Sequence, residues 1–372
     1  MNQKKICYLT YQSFPAETAN SQQTISNIIH LTRNNKDVKL IFPLREKNSS
    51  DSIEKIKKVY NFNENFSIQG ISHNYPFGKF NIFSKSSFHI SHYLWAKKTT
   101  KKILSSEEHF DYFITRSDWV FYFLSKNKRS VAFEVHQISK IRKLILFVRR
   151  NAPNSKLIFL NELLQKQLHS FTSLQNSTVL HNGVDVSNFA NLPNKQKEVV
   201  FVGSLKRFNK DRDLKFLIEA FNISELASTH RLKIIGGPQE SVEELREYVQ
   251  KKYSDLTIEI NGRLSRFDAV ENIKSAEIGV LLNEGSNDHS KYYTSPLKYF
   301  EYLAGNLKII ASDFPAHKSL PYSKNILFYK DGQTDSLKDA LNKAIHVKPA
   351  DFDKNNISLD TRAKKIITFL ET

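Results

Sequence analysis

The chain has one cysteine in 372 residues, Cys7, which excludes an intramolecular disulfide. That usage fits a reducing, cytosolic location. No run of ~20 apolar residues occurs, so no transmembrane helix is expected. The opening MNQKKICYLTY enters a strand-like run directly and lacks the apolar region and cleavage site of a signal peptide. Acidic residues are outnumbered, 38 against 55 Lys+Arg, for a net charge of +17. Nucleic acid, an anionic membrane surface or phosphorylated substrates would each fit that excess, as would a soluble surface with scattered lysines. The charges form no aromatic-interleaved patch and no nucleic-acid motif appears, so no nucleic-acid partner is expected.

Hydrophobic residues make up 40%, with 27 Phe and 15 Tyr, enough for real cores. The length suggests two domains. Strand-like runs (KICYLTY, VKLIFPL, FDYFITR, SVAFEVH, KLIFLNE) alternate with helical stretches, which argues for an α/β domain with a parallel sheet. Residues 50–100 give no clear pattern. The polar NLPNKQKE at 191–198 marks the expected boundary, and the alternation restarts with VVFVGSL. The expected division is 1–193, 194–350 and a last helix in 351–372, SLDTRAKKIITFLET.

SPLKYFEYLAG, Ser295 to Gly305, reads as a helix. Ser295 suits the N-cap, Pro296 the first helical position and Gly305 the C-terminus. Lys298 then stands in the first turn, where the helix dipole disfavours a cation by ~0.3–1 kcal/mol. An anion bound at the helix N-terminus would offset that cost, with Glu301 one turn on reaching a sugar hydroxyl. Alternatively Lys298 extends into solvent. VGSLKRFNKDRD places Gly203 and Ser204 at a strand end, followed by Lys206, Arg207 and Lys210. It is either a diphosphate cradle or an ordinary polar loop. IIGGP and ING, followed by Arg263, are further strand ends with small residues; neither is G-x-G-x-x-G. Asp211, Asp213, Asp351 and Asp353 read as caps and solvated charges, and no metal is expected. SKIRKLILFVRR carries five cations around LILFV: a helix lying on an anionic bilayer, or a packed helix with a basic outer face.

In their order and spacing, VLHNGVDVSNF, VVFVGSL, LKIIGGP, INGRLS, AEIGVLLN and SPLKYFEYLAGNLKIIASD resemble the retaining GT-B glycosyltransferases of the glycosyl transferases group 1 family, in a variant with SPLK. YLTYQSFP, DYFITRSD and FEVH resemble its acceptor domain more loosely. The resemblance implies two Rossmann-like domains facing across a cleft, with the C-terminal helix crossing back to the first. It implies transfer from a nucleoside-diphosphate sugar to a glycan or lipid-linked acceptor, without metal, in surface polysaccharide biosynthesis, in the cytoplasm or peripherally at the inner face of the plasma membrane. The diphosphate would sit at Thr294, Ser295, Leu297 and Lys298, with Gly203, Ser204, Lys206, Arg207, Lys210 and Arg263 nearby. Glu301 matches the second Glu of the family's Glu-x7-Glu and would bind ribose. Tyr293 stands where the first falls. His136 matches the histidine facing the donor sugar, and His181 belongs to a turn. A sugar-nucleotide epimerase of the same fold and a non-catalytic partner protein are the competing readings.

Overall fold

The computed structural model describes residues 4–16, 18–73, 75, 84–169, 176–207 and 210–372. The chain forms two compact units, Met1–Leu180 with Leu359–Thr372, and His181–Ser358. The passage from one to the other precedes the polar stretch at 191–198, because residues 191–195 lead directly into the first strand of the second unit.

The first unit runs β1 (Lys5–Leu9), α1 (Ala19–Arg33), β2 (Asp37–Leu44), α2 (Ile53–Tyr60), β3 (Ser67–Ser72), α3 (Ser84–Leu104), β4 (Tyr112–Thr115), α4 (Asp118–Lys126), β5 (Val131–Val135), α5 (Lys140–Val148), β6 (Ser155–Phe159), α6 (Glu162–His169) and β7 (Ser177–Val179). Its sheet is parallel in the order β3-β2-β1-β4-β5-β6-β7. Ile6, Cys7, Tyr8 and Leu9 are all fully buried, as expected for a parallel strand covered on both faces. The 50–100 region resolves into α2, β3 and α3 among its described residues.

The second unit runs β8 (Gln196–Val202), a two-stranded ribbon β9 (Lys206–Arg207) and β10 (Lys210–Asp211), α7 (Leu214–Asn222), β11 (Arg231–Ile235), α8 (Gln239–Lys252), β12 (Ile258–Asn261), α9 (Arg266–Ser275), β13 (Ala276–Leu281), α10 (Leu297–Ala304), β14 (Lys308–Ser312), α11 (Pro315–Lys318), β15 (Ile326–Tyr329) and α12 (Thr334–His346). Its parallel sheet has the order β12-β11-β8-β13-β14-β15. Both sheets therefore start in the middle, build outward one way and then reverse, the doubly wound Rossmann pattern. Right-handed crossovers impose it once helices must cover both faces. The reversal falls between β1 and β4 in one unit and between β8 and β13 in the other. Ligands of such sheets bind beyond the carboxyl ends of the strands at that point.

Short polar residues start the helices. The side chains of Thr18, Ser139, Asp213 and Ser265 accept the N–H of Ser21, Arg142, Phe216 and Asp268, each at 3.1 Å, and so satisfy groups a helix cannot pair internally. In the second unit Leu217, Val242 and Leu341 fill one face of the sheet, and Val270, Ile273, Phe300 and Leu303 the other. Gly236 ends β11 where a Cβ would fall 1.8 Å from the Gly203 carbonyl oxygen. That close approach lets Gly203 N–H donate to Ile235 O at 2.9 Å and Leu205 N–H to Gly237 O at 2.8 Å, so the two small-residue strand ends lie side by side.

The final helix, α13 (Leu359–Glu371), belongs to the first unit. Ala363, Ile366 and Leu370 pack with Ile25 and Ile28 of α1. Arg362 Nη2 donates to the fully buried Glu134 at 2.8 Å, and its Nη1 to Asn27 Oδ1 at 3.0 Å. Lys156 Nζ donates to the terminal carbonyls of Phe369 and Leu370.

Candidate active site

At the carboxyl edge of the second sheet, β13 leads through a π turn at His289–Tyr293 into α10. The expected cap is corrected here. Pro296 occupies the N-cap position and Leu297 begins the helix, so Lys298 is second, not third. Ser295 is diverted. Its Oγ accepts the N–H of Asn182 at 3.2 Å, and its carbonyl accepts Asn182 Nδ2 at 2.5 Å. Asn182 comes from the HNGVD turn, so this turn and the start of α10 are locked together. Among the described residues no side chain caps α10; the Tyr299 N–H turns back to the Pro296 carbonyl at 3.1 Å, and the helix N-terminus stands uncapped at the carboxyl edge.

Lys298 does not extend into solvent. Its Nζ donates to Glu301 Oε2 at 2.6 Å, while Arg266 Nη1 lies 2.7 Å from Glu301 Oε1. Glu301 is 4% exposed. Burial pushes its carboxyl up, but Arg266 and Lys298 more than offset this and hold it below the usual carboxylate range. Partial burial, against the pull of Glu301, takes the Lys298 ammonium below the usual lysine range. The group is two cations sharing one carboxylate beneath an uncapped helix N-terminus, with positive charge to spare for an anion.

Thr294 and Ser295 are buried just before α10, and Tyr293, half-buried, has its phenol pushed up by burial and by the Asp288 charge. Gly203 and Ser204 stand at the end of β8. The Ser204 hydroxyl donates to Lys206 O at 2.6 Å. Lys206 Nζ pairs with Glu240 of α8 at 2.9 Å. Arg263 is exposed, with its Cβ 3.7 Å from the position a Cβ on Gly237 would take. Arg207 and Lys210 face each other in the β9–β10 ribbon, but their side chains lie outside the described residues. His136 follows β5 in the first unit. Arg116 Nη2 lies 2.8 Å from its Nδ1. Because arginine only donates, Nδ1 accepts and Nε2 carries the ring proton.

Residues 196–346 match the family model Glycosyl transferases group 1. The second unit is a glycosyl transferases group 1 domain. The chain is accordingly a glycosyltransferase, an enzyme of sugar transfer. Among curated proteins, none matches this glycosyltransferase by sequence. Among solved structures it is similar to sucrose-phosphate synthase from Thermosynechococcus elongatus, at 13% identity and TM-score 0.67 over 99% of this chain and 95% of that one. It is equally similar to the trehalose-6-phosphate structure from E. coli bound with UDP-2-fluoro glucose, at 12% identity and TM-score 0.67 over 99% of each chain. The lipopolysaccharide outer core galactosyltransferase WaaB aligns at 16% identity and TM-score 0.61 over 99% and 97%. These likenesses establish the GT-B fold.

Two arginines in the glycosyltransferase domain escape sequence reasoning. Arg266 opens α9, and the clue is the one Lys298 gives, a cation in a helix's first turn. Arg212 lies between two aspartates that draw the eye. It donates to the Leu282 carbonyl at the end of β13 and sits over the Phe201 ring at 5.6 Å. A cavity of about 520 Å³ opens beside it, lined by Leu205, Phe216, Leu282 and Tyr329 with Asp213, Glu244, Glu284 and Asp331. None of the residues expected at the donor site lines it. Among the described residues no cluster of His, Cys, Asp and Glu is placed to hold a metal ion.

Proposed function

We propose that the enzyme moves a sugar from a nucleoside-diphosphate sugar to a hydroxyl of a glycan or lipid-linked acceptor, with retention, in surface polysaccharide biosynthesis. The observation that carries this reading is the buried Glu301 held between Lys298 and Arg266 under the uncapped N-terminus of α10. A diphosphate on that terminus meets backbone N–H groups, the helix dipole and Lys298, with Arg207 and Lys210 as further candidates. Glu301 takes the ribose hydroxyls. Gly203, Ser204, Lys206, Arg263, Tyr293, Thr294, Ser295 and Leu297 complete the donor-side set, and His136 is the active-site histidine. The UDP-2-fluoro glucose bound in the E. coli neighbour supports a donor of this class.

In the reaction the sugar C1–O bond to the diphosphate breaks and a C1–O bond to the acceptor forms on the same face. The acceptor proton passes to the departing phosphate oxygen. The enzyme's task is to stabilise charge growing on that phosphate, so it needs no carboxylate pair flanking the bond, unlike a typical glycosidase. Here the cations and helix N-terminus fill the role a metal ion fills elsewhere. Calorimetry with UDP, GDP, ADP and CMP, followed by product analysis with the sugar donor of the one that binds, tests the reading. Tight binding of one nucleoside diphosphate is expected, and binding of none overturns it.

We further place the enzyme in the cytoplasm, peripherally on the inner face of the plasma membrane. No helix among the described residues is long and apolar enough to cross a membrane. The expected outer face of α5 needs correction. Arg142 turns inward, to Asp118 at 2.6 Å and to Gln137 O at 2.7 Å, and Arg149 turns to Ser125 at 3.0 Å. The outer side instead exposes Leu144, Phe147 and Val148, with Lys140, Lys143 and Arg150 beside them. Apolar side chains flanked by cations suit an anionic interface, where each Lys or Arg contributes about 1 kcal/mol. Paired Leu144→Ser and Phe147→Ser substitutions should abolish sedimentation with phosphatidylglycerol vesicles and leave folding intact. Unchanged sedimentation would remove this surface from consideration.

A further inference from the structure

We propose that Arg266 is a positioning residue for the donor site: it sets the orientation in which Glu301 meets the ribose. The inference rests on the donor reading above.

α9 and α10 follow successive strands of a parallel sheet, so both begin at its carboxyl edge. Their far ends are joined by Lys195, whose Nζ donates to Lys274 O at 2.8 Å and to Gly305 O at 2.5 Å. Gly305 is pressed against Ile273 of α9, where an added Cβ would lie 3.2 Å from its Cγ2. Their near ends are joined through Glu301, which takes Lys298 of its own helix on Oε2 and Arg266 of α9 on Oε1.

The two cations differ in what they can fix. Lys298 is three residues from Glu301 on the same helix, and its ammonium is a rotatable point charge. It can follow the carboxylate through several rotamers and so selects none. Arg266 stands on a separate helix whose start is pinned by Ser265 accepting the Asp268 N–H. Its planar guanidinium can hold one oxygen along a fixed line. A carboxylate offers about four acceptor positions. With one used on each oxygen, the remaining pair is presented in a set direction, as recognition of adjacent hydroxyls requires. A cation in the first turn of α9 is disfavoured by that helix's dipole, and its contact with Glu301 offsets the cost.

The test compares wild type with Arg266→Gln, Arg266→Lys and Glu301→Gln for binding of UDP, GDP and ADP and of their 2′-deoxy forms, each variant first checked by thermal unfolding. Arg266→Gln should weaken binding of the ribonucleotide about ten-fold and collapse the preference for ribose over deoxyribose, as one charge-assisted contact suggests. Arg266→Lys should restore folding stability but only part of the preference. If Glu301→Gln loses the preference and Arg266→Gln keeps it, the positioning role is overturned and the donor site stands. If Glu301→Gln also keeps it, the donor reading itself fails, and this inference with it.

Discussion

Glu301→Gln and Lys298→Ala should both weaken nucleoside-diphosphate binding, but for opposite electrostatic reasons. Lys298 and Arg266 share the Glu301 carboxylate at 2.6 and 2.7 Å. Replacing Glu301 with glutamine removes the only anion of the group and makes the site more positive. If Glu301 binds ribose, affinity for the nucleotide should still fall, by about 1.5–3 kcal/mol or roughly ten- to hundred-fold, the worth of hydrogen bonds to a charged group. Affinity for inorganic pyrophosphate, which has no ribose, should hold or rise. Lys298→Ala takes away a cation beside the helix N-terminus, so nucleotide and pyrophosphate should weaken together. Calorimetry with both ligands separates the cases. A Glu301→Gln protein that loses pyrophosphate as steeply as nucleotide would show that the carboxylate acts only by organising its neighbours. A Lys298→Ala protein that binds both normally would detach α10 from the diphosphate. Glu301→Gln should be tolerated by the fold, because the amide still accepts from one cation and the other can turn to water.

What the sequence could reveal followed the range of the interactions involved. Strands such as Ile6–Leu9 declare themselves because a parallel strand covered on both faces must be apolar at every position. The helix at Leu297–Ala304 declares itself because Phe300, Leu303 and Ala304 recur at its period. The misplaced charge of Lys298 is legible for a local reason, its conflict with the helix dipole. Its partner Arg266 stays hidden because it arrives from a helix that precedes β13, and no periodicity links the two. The same limit explains the cap. Ser295 is an ideal N-cap by local rules, but Asn182, more than a hundred residues earlier, claims its hydroxyl. It also explains α5, where Arg142 reads as one of five surface cations until Asp118 on α4 draws it inward. Local physics marked the candidate residues, and tertiary contacts decide which of their atoms meet.

The largest loss of stability should come from Arg362→Met. Glu134 is fully buried in β5, where it accepts the Tyr8 hydroxyl at 2.6 Å and the Arg362 guanidinium at 2.8 Å. Leaving a buried charge without its partner costs about 3–5 kcal/mol, because neither water nor another cation can replace it fully. Arg116 lies close enough to soften the loss, so the lower end is expected. The acid limb of the stability curve gives a second readout. Burial pushes the Glu134 carboxyl up, but Arg362 and Arg116 overcome this and hold it below its ordinary value of 4.5. A carboxyl depressed in the folded state contributes stability that is present above its unfolded value and lost as pH falls through the folded one. Without Arg362 the burial effect gains ground and the folded-state carboxyl rises, so this contribution shrinks at neutral pH and the variant has less of it to lose as pH falls. Urea unfolding of Arg362→Met between pH 4 and 7 should therefore show a lower midpoint, with the deficit against wild type largest at pH 7 and narrowing towards pH 4. Adding Glu134→Gln should recover much of the midpoint, since the stranded charge is then gone, and should remove the pH dependence of the deficit. An Arg362→Met protein that unfolds like wild type would mean that α13 is held by Ala363, Ile366 and Leu370 alone, with the ion pair contributing nothing net.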